Sequence, residues 1–350
     1  MASRTTTGIR SRNVTLKEVA RAAEVHISTA SRALDPTKSW RISAATVDRV
    51  RQVAEELGYS PDMIARGLKR GTTTTIGVVV TDLENPFIGP VIRGITVALE
   101  QHGFLALVAE TFDDHERLVR ILNHLVSRRV DAIICSAVRL TDATLLRRAA
   151  KQGLPIVLAV RSIPRSGLPC IVPDDRRGGR LAVAHLAELG HRAVAQIKGP
   201  SDVSNFVDRG RGFDEQAAEA GLVDLTIAEA ASQPTVEEGR RLMRLTLVQN
   251  RRRLTGVFAQ NDLLAIGAID AIRAVGLECP RDVSVVGYND GPLADHVSPS
   301  LSTIRMPGHE LGSRAAEVAM DLIEDGGKRR PSVLVPVSLV VRESTTSAPS

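Results

Sequence analysis

Ser28, Thr29, Ser31 and Arg32 fall close together in a short stretch near the N-terminus, Ile27 to Leu34. Wound as a helix, the stretch carries its small apolar residues Ala30, Ala33 and Leu34 on one side and these polar groups on the other. Short hydroxyls are mediocre helix formers, but they suit a helix that presses into a groove. Hydroxyls can contact phosphates, and a long arginine can reach a guanine edge. A second set of polar residues follows apolar runs further along: Thr81 to Phe87, Arg161, Arg209, Asn261-Asp262 and Asn289-Asp290. Hydrolytic, phosphate-binding and metalloprotease signatures are missing: there is no G-x-S-x-G, P-loop, post-strand G-x-G-x-x-G or H-E-x-x-H. His185 and His191 stand six residues apart on different helical faces, so we expect surface or capping roles and no shared metal. The three cysteines, 135, 170 and 279, are widely spaced and fit neither a disulfide framework nor a metal cluster. Neither catalytic residues, a metal nor a cofactor is therefore expected.

The first of these sets needs a small helical module. Thr15-Leu16-Lys17-Glu18 is a capping pattern, and Leu16, Val19, Ala20 and Ala23 recur at helical spacing after it. A third helix starts at Ser43, buries Val47, Val50, Ala54 and Leu57, and ends at Gly58. Two short helices and a longer third give either helix-turn-helix geometry, with the second helix as reader, or a plain three-helix bundle. Charge bears on this choice. Residues 1–71 hold 13 Lys and Arg against 7 Asp and Glu, while the remainder holds 32 against 33. The excess positive charge thus sits in the first fifth of the chain and suggests a polyanionic partner. Residues 63–71, with Arg66, Leu68 and Lys69, read either as a helix ordered by docking on DNA, with Leu68 as a minor-groove wedge, or as a flexible basic linker.

From Thr75 onward short β-rich runs alternate with amphipathic helices. Strands are expected at 76–80, 104–109, 132–135, 156–160, 194–197, 256–259 and 283–287. Helices are expected at 91–101, 116–127, 177–189, 210–220, 236–249 and 263–275. Such alternation implies parallel sheets covered on both faces, with a ligand beyond the carboxyl ends of the strands. The second polar set would converge there on a cleft between lobes, although Asp174 and Asp262 each precede a helix and serve equally as caps. No apolar run is long enough to span a membrane, and residues 1–13 lack the apolar core of a secretory leader. A solute-binding protein of the periplasm would share the body but carry a leader and no basic headpiece.

The runs Val14 to Ala20 (VTLKEVA), Val25 to Leu34 (VHISTASRAL), Gly58-Tyr59-Ser60-Pro61 and Ala65-Arg66-x-Leu68 resemble the LacI family of transcriptional regulators. The likeness continues through Asp174-Asp175 with Gly178-Gly179, Arg209-x-x-Gly212-Phe213, Asn261-Asp262-x-x-Ala265-x-Gly267, and Val283 to Asp290. It closes on Val340-x-Arg342-Glu343-Ser344 and so spans roughly residues 14–344.

The resemblance implies an all-α helix-turn-helix headpiece and hinge helix, then an α/β periplasmic-binding-protein-like bilobed domain with two parallel sheets. Segments are expected at 1–13 (a disordered arm), 14–60 (the headpiece), 61–74 (the hinge) and 75–345 (the effector and dimerisation body). The body's N-lobe would take 75–160 and 291–325, and its C-lobe 161–290 and 326–345. By the same likeness Ile27, Ser28 and Arg32 read bases, while Thr15, Thr29 and Ser31 meet the DNA backbone. His26 stands where the family usually has a phosphate-contacting serine. Leu68 and Lys69 would enter the minor groove beside Arg66. Arg209, Asn261 and Asn289 match effector-binding positions, with Phe87 and Arg161 on neighbouring loops. Three further departures are Asp62, where the family commonly has asparagine, Val160, where sugar-binding members often carry Asp, and a long loop holding Trp40, which we expect to pack. The implied function is a cytoplasmic, nucleoid-associated homodimeric repressor. It would bind a palindromic double-stranded operator under the allosteric control of a sugar or related metabolite, with no membrane partner.

Overall fold

In a computed structural model, residues 14–35, 39–59, 72–250, 253–326 and 331–349 are described. The chain divides into two compact units with the boundary between Thr73 and Thr74.

The first unit holds helices α1 (Leu16–Ala22), α2 (Ile27–Ala33) and α3 (Ala44–Glu56). The capping box expected at Thr15 and Glu18 is formed, and Ser43 caps α3 through the Thr46 N–H. Val19, Ala20, Ala23, Ala30, Ala33, Val47, Val50 and Ala54 make one small core. Alanines dominate it, which lets the two short helices approach closely. Leu57, expected inside, is instead exposed at the end of α3.

The second unit contains two sheets. The first takes strands β1 (Thr75–Val80), β2 (Leu105–Glu110), β3 (Ala132–Cys135), β4 (Ile156–Ala159), β5 (Cys170–Pro173) and β11 (Val333–Val335), in the order β11-β5-β4-β3-β1-β2. The second takes β6 (Ala193–Ile197), β7 (Val223–Asp224), β8 (Gly256–Ala259), β9 (Ser284–Asn289), β10 (Ser302–Arg305) and β12 (Ser338–Val340), in the order β12-β10-β9-β8-β6-β7. All pairings are parallel except β10 with β12. The helices that cover them are α4 (Ile88–Gln101), α5 (His115–Ser127), α6 (Ala143–Lys151), α7 (Asp175–Glu188), α8 (Ser204–Glu219), α9 (Val236–Asn250), α10 (Asp262–Ala274) and α11 (Gly308–Glu324).

Strand pairing corrects the lobe boundaries. The sequence reading crosses between lobes near 160, 290 and 325. In the structure β5 still pairs with β4, and β10 still pairs with β9. The crossings therefore lie between Pro173 and Asp175, between Arg305 and Gly308, and between Val335 and Ser338. The displaced strands are short or polar, so they carry little hydrophobic pattern. Ser302 and Thr303 of β10 are fully buried.

Helices α4 and α11, α7 and α8, and α9 and α10 pack as pairs, and each pair crosses at glycines. A Cβ on Gly94 would collide with the His309 carbonyl, and one on Gly312 with that of Val91. Gly179 likewise faces the Arg209 carbonyl and Gly212 that of Arg176, while Gly239 and Gly267 meet Leu264 and Val236. Backbone touches backbone at these points.

Candidate nucleic-acid interface and ligand cleft

In the first unit, α2 turns Ile27, Ser28, Ser31 and Arg32 outward, and Ile27 remains 43% exposed. Thr29 is half-buried. The Arg32 Nε donates to the Ser28 carbonyl at 3.1 Å, so the guanidinium lies along the helix face. Thr15 is exposed but engaged, its hydroxyl donating to Glu18 at 2.9 Å. His26, read from sequence as a backbone contact, is the N-cap of α2. Its Nδ1 accepts from the Ser28 N–H at 3.3 Å and lies 2.8 Å from the Ser28 hydroxyl. Imidazole thus does the work that a hydroxyl or carboxylate does at most helix starts. Trp40, expected to pack, is 74% exposed, with the Arg41 guanidinium 4.7 Å from its ring centre. Arg66, Leu68 and Lys69 lie outside the described residues.

In the second unit, Phe87, Arg161, Arg209, Asn261 and Asn289 line one cleft between the two sheets. They reach it from both lobes: Phe87, Arg161, Asn261 and Asn289 stand where a strand ends or a helix begins, and Arg209 reaches in from the second turn of α8. Phe87 stands directly before α4, where its N–H donates to Asn85 Oδ1 at 3.1 Å. Arg161 follows β4 through a tight turn: Val160 has φ +67°, and the Arg161 N–H donates back to the Ala159 carbonyl at 2.7 Å. Positive φ is uncommon for a β-branched residue, and here it bends the chain so that Arg161 reaches the cleft. Asn289 and Asp290 also have positive φ at the end of β9.

The two arginines are not free cations. Arg161 forks onto Asp113 at 2.6 and 3.1 Å, the two side chains being 8% and 12% exposed. Burial pushes the Asp113 carboxyl up, but the Arg161 guanidinium outweighs it and holds the carboxyl below its ordinary range. Arg209 is 1% exposed. Its Nε donates to Asp175 at 2.8 Å, its Nη1 to the Gln260 carbonyl at 2.6 Å, and its guanidinium carbon lies 3.6 Å from the Tyr288 ring centre. Burial raises Asp175 to about 6 despite that partner.

Asn261 is the N-cap of α10, accepting from the Leu264 N–H at 2.7 Å and donating to the Pro234 carbonyl at 3.2 Å. Among the described residues nothing bonds the carboxamide of Asn289, which is only 8% exposed. Asp262, one candidate cap, instead lines a smaller pocket beside the cleft, with Asn85, Phe87 and Asn289, and accepts from Gly291 N–H at 2.8 Å and Thr303 hydroxyl at 2.6 Å. Burial pushes it up to about 7. Asp174, the other candidate, does cap its helix through the Arg177 N–H. His185 and His191, expected as surface or capping residues, are buried. His185 meets the Thr345 hydroxyl at 3.0 Å, and His191 meets Thr255 at 3.0 Å and the Thr346 carbonyl at 3.1 Å, so both tie down the C-terminal tail. Burial lowers both rings below their ordinary pKa.

Sequence reasoning missed Asp113, Asn205 and Phe206. Asp113 follows β2 just as Arg161 follows β4, and that position was the available signal. Asn205 and Phe206 lie in the first turn of α8, ahead of the stretch where apolar periodicity begins.

Residues 15–62 match the family described as bacterial regulatory proteins, lacI family. Residues 183–345 match the periplasmic binding protein-like domain. The chain is 31% identical to the HTH-type transcriptional repressor PurR of Aliivibrio fischeri (strain ATCC 700601 / ES114), over 95% of this chain and 98% of that protein. It is 30% identical to the HTH-type transcriptional repressor CytR of Escherichia coli (strain K12), over 96% and 97%. Among solved structures, a Lac repressor dimer bound to operator and the anti-inducer ONPF superposes with a TM-score of 0.86 at 26% identity, covering 96% of this chain and all of that one. A complex of the transcriptional regulator CelR with cellobiose gives 0.71 at 29% identity, covering 95% and 100%. With this headpiece, this bilobed body and these relatives along nearly its whole length, the chain belongs to the LacI family of bacterial regulatory proteins.

Proposed function

We propose that the chain is a transcriptional repressor that binds a palindromic operator as a homodimer and releases or tightens it when a small metabolite occupies the cleft. In this reading Ile27, Ser28 and Arg32 meet base edges, while Thr15, His26, Thr29 and Ser31 meet phosphates. Arg66, Leu68 and Lys69 enter the minor groove at the centre of the operator. Phe87, Arg161, Arg209, Asn261 and Asn289 hold the effector. The observation that carries the reading is a single chain that pairs an outward-facing, hydroxyl- and arginine-bearing second helix with a two-lobed cleft collecting all five expected effector residues. The operator-bound Lac repressor dimer and the cellobiose-bound CelR support it by analogy. A dimer matches the two-fold symmetry of a palindrome. The effector acts through its difference in affinity for two arrangements of the lobes. We propose no catalytic role and a cytoplasmic, nucleoid-associated location; no described helix is long and apolar enough to cross a membrane.

The test is selection of bound sequences from a random DNA pool by the purified full chain, repeated with Arg32→Ala. The wild type should return a two-fold symmetric motif. The variant should lose preference at one or two symmetric positions while keeping salt-dependent nonspecific binding. An unchanged motif would remove Arg32 from base reading.

A further inference from the structure

We propose that Asp113 and Asp175 make the cleft selective for an uncharged, hydroxyl-bearing ligand by neutralising the two arginines that line it; the inference rests on the reading of the cleft as the effector site. Each arginine of the wall carries its own carboxylate. Arg161 holds Asp113 in a two-pronged pair, and Arg209 holds Asp175, all four side chains being nearly buried. The remaining polar groups of the wall, Thr81, Ser136, Asn85, Asn205, Asn261 and Asn289, are neutral. The cleft therefore offers hydrogen bonds without an unmatched cation, and the neighbouring Asp262 carboxyl adds none.

Donors are still plentiful. A guanidinium has five N–H groups. Arg161 directs three contacts at the protein, two to Asp113 and one to the Val138 carbonyl at 3.5 Å. Arg209 also directs three, to Asp175, the Gln260 carbonyl and Met306 Sδ. Each keeps N–H groups for a ligand hydroxyl or carbonyl, and the Asn289 carboxamide both donates and accepts. Phe87, Phe206 and Val160 give the apolar surface on which the face of a sugar ring or a base can rest. A phosphate or carboxylate entering the same space meets cations already matched by fixed anions. It must displace Asp113 or Asp175 from its pair, or lie beside it as a second anion away from water.

Asp113 is placed for this purpose by backbone geometry. Phe112 and Asp113, two and three residues beyond the end of β2, both have positive φ, and the Asp113 N–H donates to the Thr111 hydroxyl at 3.3 Å. Asp113 itself does not line the cleft; it backs Arg161 from behind the wall. It is thus a specificity residue acting through another.

The test is isothermal titration of the full chain with matched neutral and anionic compounds. The pairs are ribose with ribose 5-phosphate, glucose with glucose 6-phosphate and glucuronate, and adenosine with adenosine 5′-monophosphate. We expect at least one neutral member to bind, with its anionic partner tenfold or more weaker. Asp113→Asn should narrow that ratio tenfold by strengthening the anion. An anion that binds the wild type as tightly as its neutral partner overturns the inference. So does a set in which no neutral member binds, or a ratio that Asp113→Asn leaves unchanged. The wild-type ratio stands alone if the variant does not fold. Asn289→Ala separates this from the underlying reading: binding that survives it undiminished puts the sensor elsewhere, and the effector-site reading fails with it.

Discussion

Arg209→Met removes a buried guanidinium while keeping most of its stem, and its consequence for stability can be worked out against pH. The wild-type side chain pairs with Asp175 and donates to the Gln260 carbonyl. With Arg209 present, Asp175 takes up a proton near pH 6, raised from 3.8 by burial that the guanidinium only partly offsets. A carboxyl raised on folding contributes stability that is fully present below its unfolded pKa and lost as pH rises through its folded one. In the wild type that loss levels off near pH 6. Without Arg209 the folded value climbs well beyond, so the loss continues. Each further pH unit then costs about 1.4 kcal/mol. The difference between variant and wild type should therefore grow from near zero at pH 6 to about 1.4 kcal/mol at pH 7 and about 3 kcal/mol at pH 8. The orphaned Gln260 carbonyl adds a pH-independent ~1–3 kcal/mol. Urea unfolding at pH 6, 7 and 8, followed by far-ultraviolet circular dichroism, measures this. Tryptophan fluorescence would not, because the sole tryptophan, Trp40, belongs to the headpiece. Arg209→Met with Asp175→Asn should abolish the slope. A difference that stays flat from pH 6 to 8 refutes the argument that Arg209 holds the charge on Asp175.

Asp262→Asn should flatten the wild-type decline in stability between about pH 4 and pH 7, because burial raises that carboxyl to about 7 and its contribution is lost as pH rises through that value; an unaltered pH profile would mean that Asp262 does not titrate there. Gly212→Ala should destabilise the body by ~1–3 kcal/mol through overpacking against the Arg176 carbonyl. A thermal melt of Gly212→Ala that matches the wild type would sink the packing argument. Leu68→Ala should weaken operator affinity and reduce operator bending in gel-shift assays with circularly permuted fragments, whereas unchanged bending removes Leu68 as a wedge.

What the sequence made legible follows from where the physics is local. The capping box at Thr15, the small-residue face of α2 and the ends of β1, β3 and β8 are written in neighbouring residues, and they appear where expected. The polar residues after strands could be assigned to a common cleft because parallel sheets place all those ends on one edge. The lobe crossings were not legible, since they depend on which sheet a three- or four-residue strand such as β5 or β11 joins. Periodicity says nothing about partner choice. Nor could spacing show that Arg161 and Arg209 are already paired, because Asp113 and Asp175 lie 48 and 34 residues away in the chain. The histidines were misread for the same reason: the tail that buries them lies more than 150 residues further on. Some motif glycines that mark the family, Gly179, Gly212 and Gly267, serve helix contact and not ligand contact.

Those glycine crossings bear on how a signal leaves the cleft. Two helices whose backbones touch have no cushion of side chains between them to compress or slide over, so neither lobe has much internal give. Whatever the occupant of the cleft does must then emerge as a change of angle between two stiff pieces, turning about the three short chain crossings at 173–175, 305–308 and 335–338. A pair of pliers works this way: a small difference in what the jaws grip becomes a larger spread at the handles, in proportion to distance from the pivot.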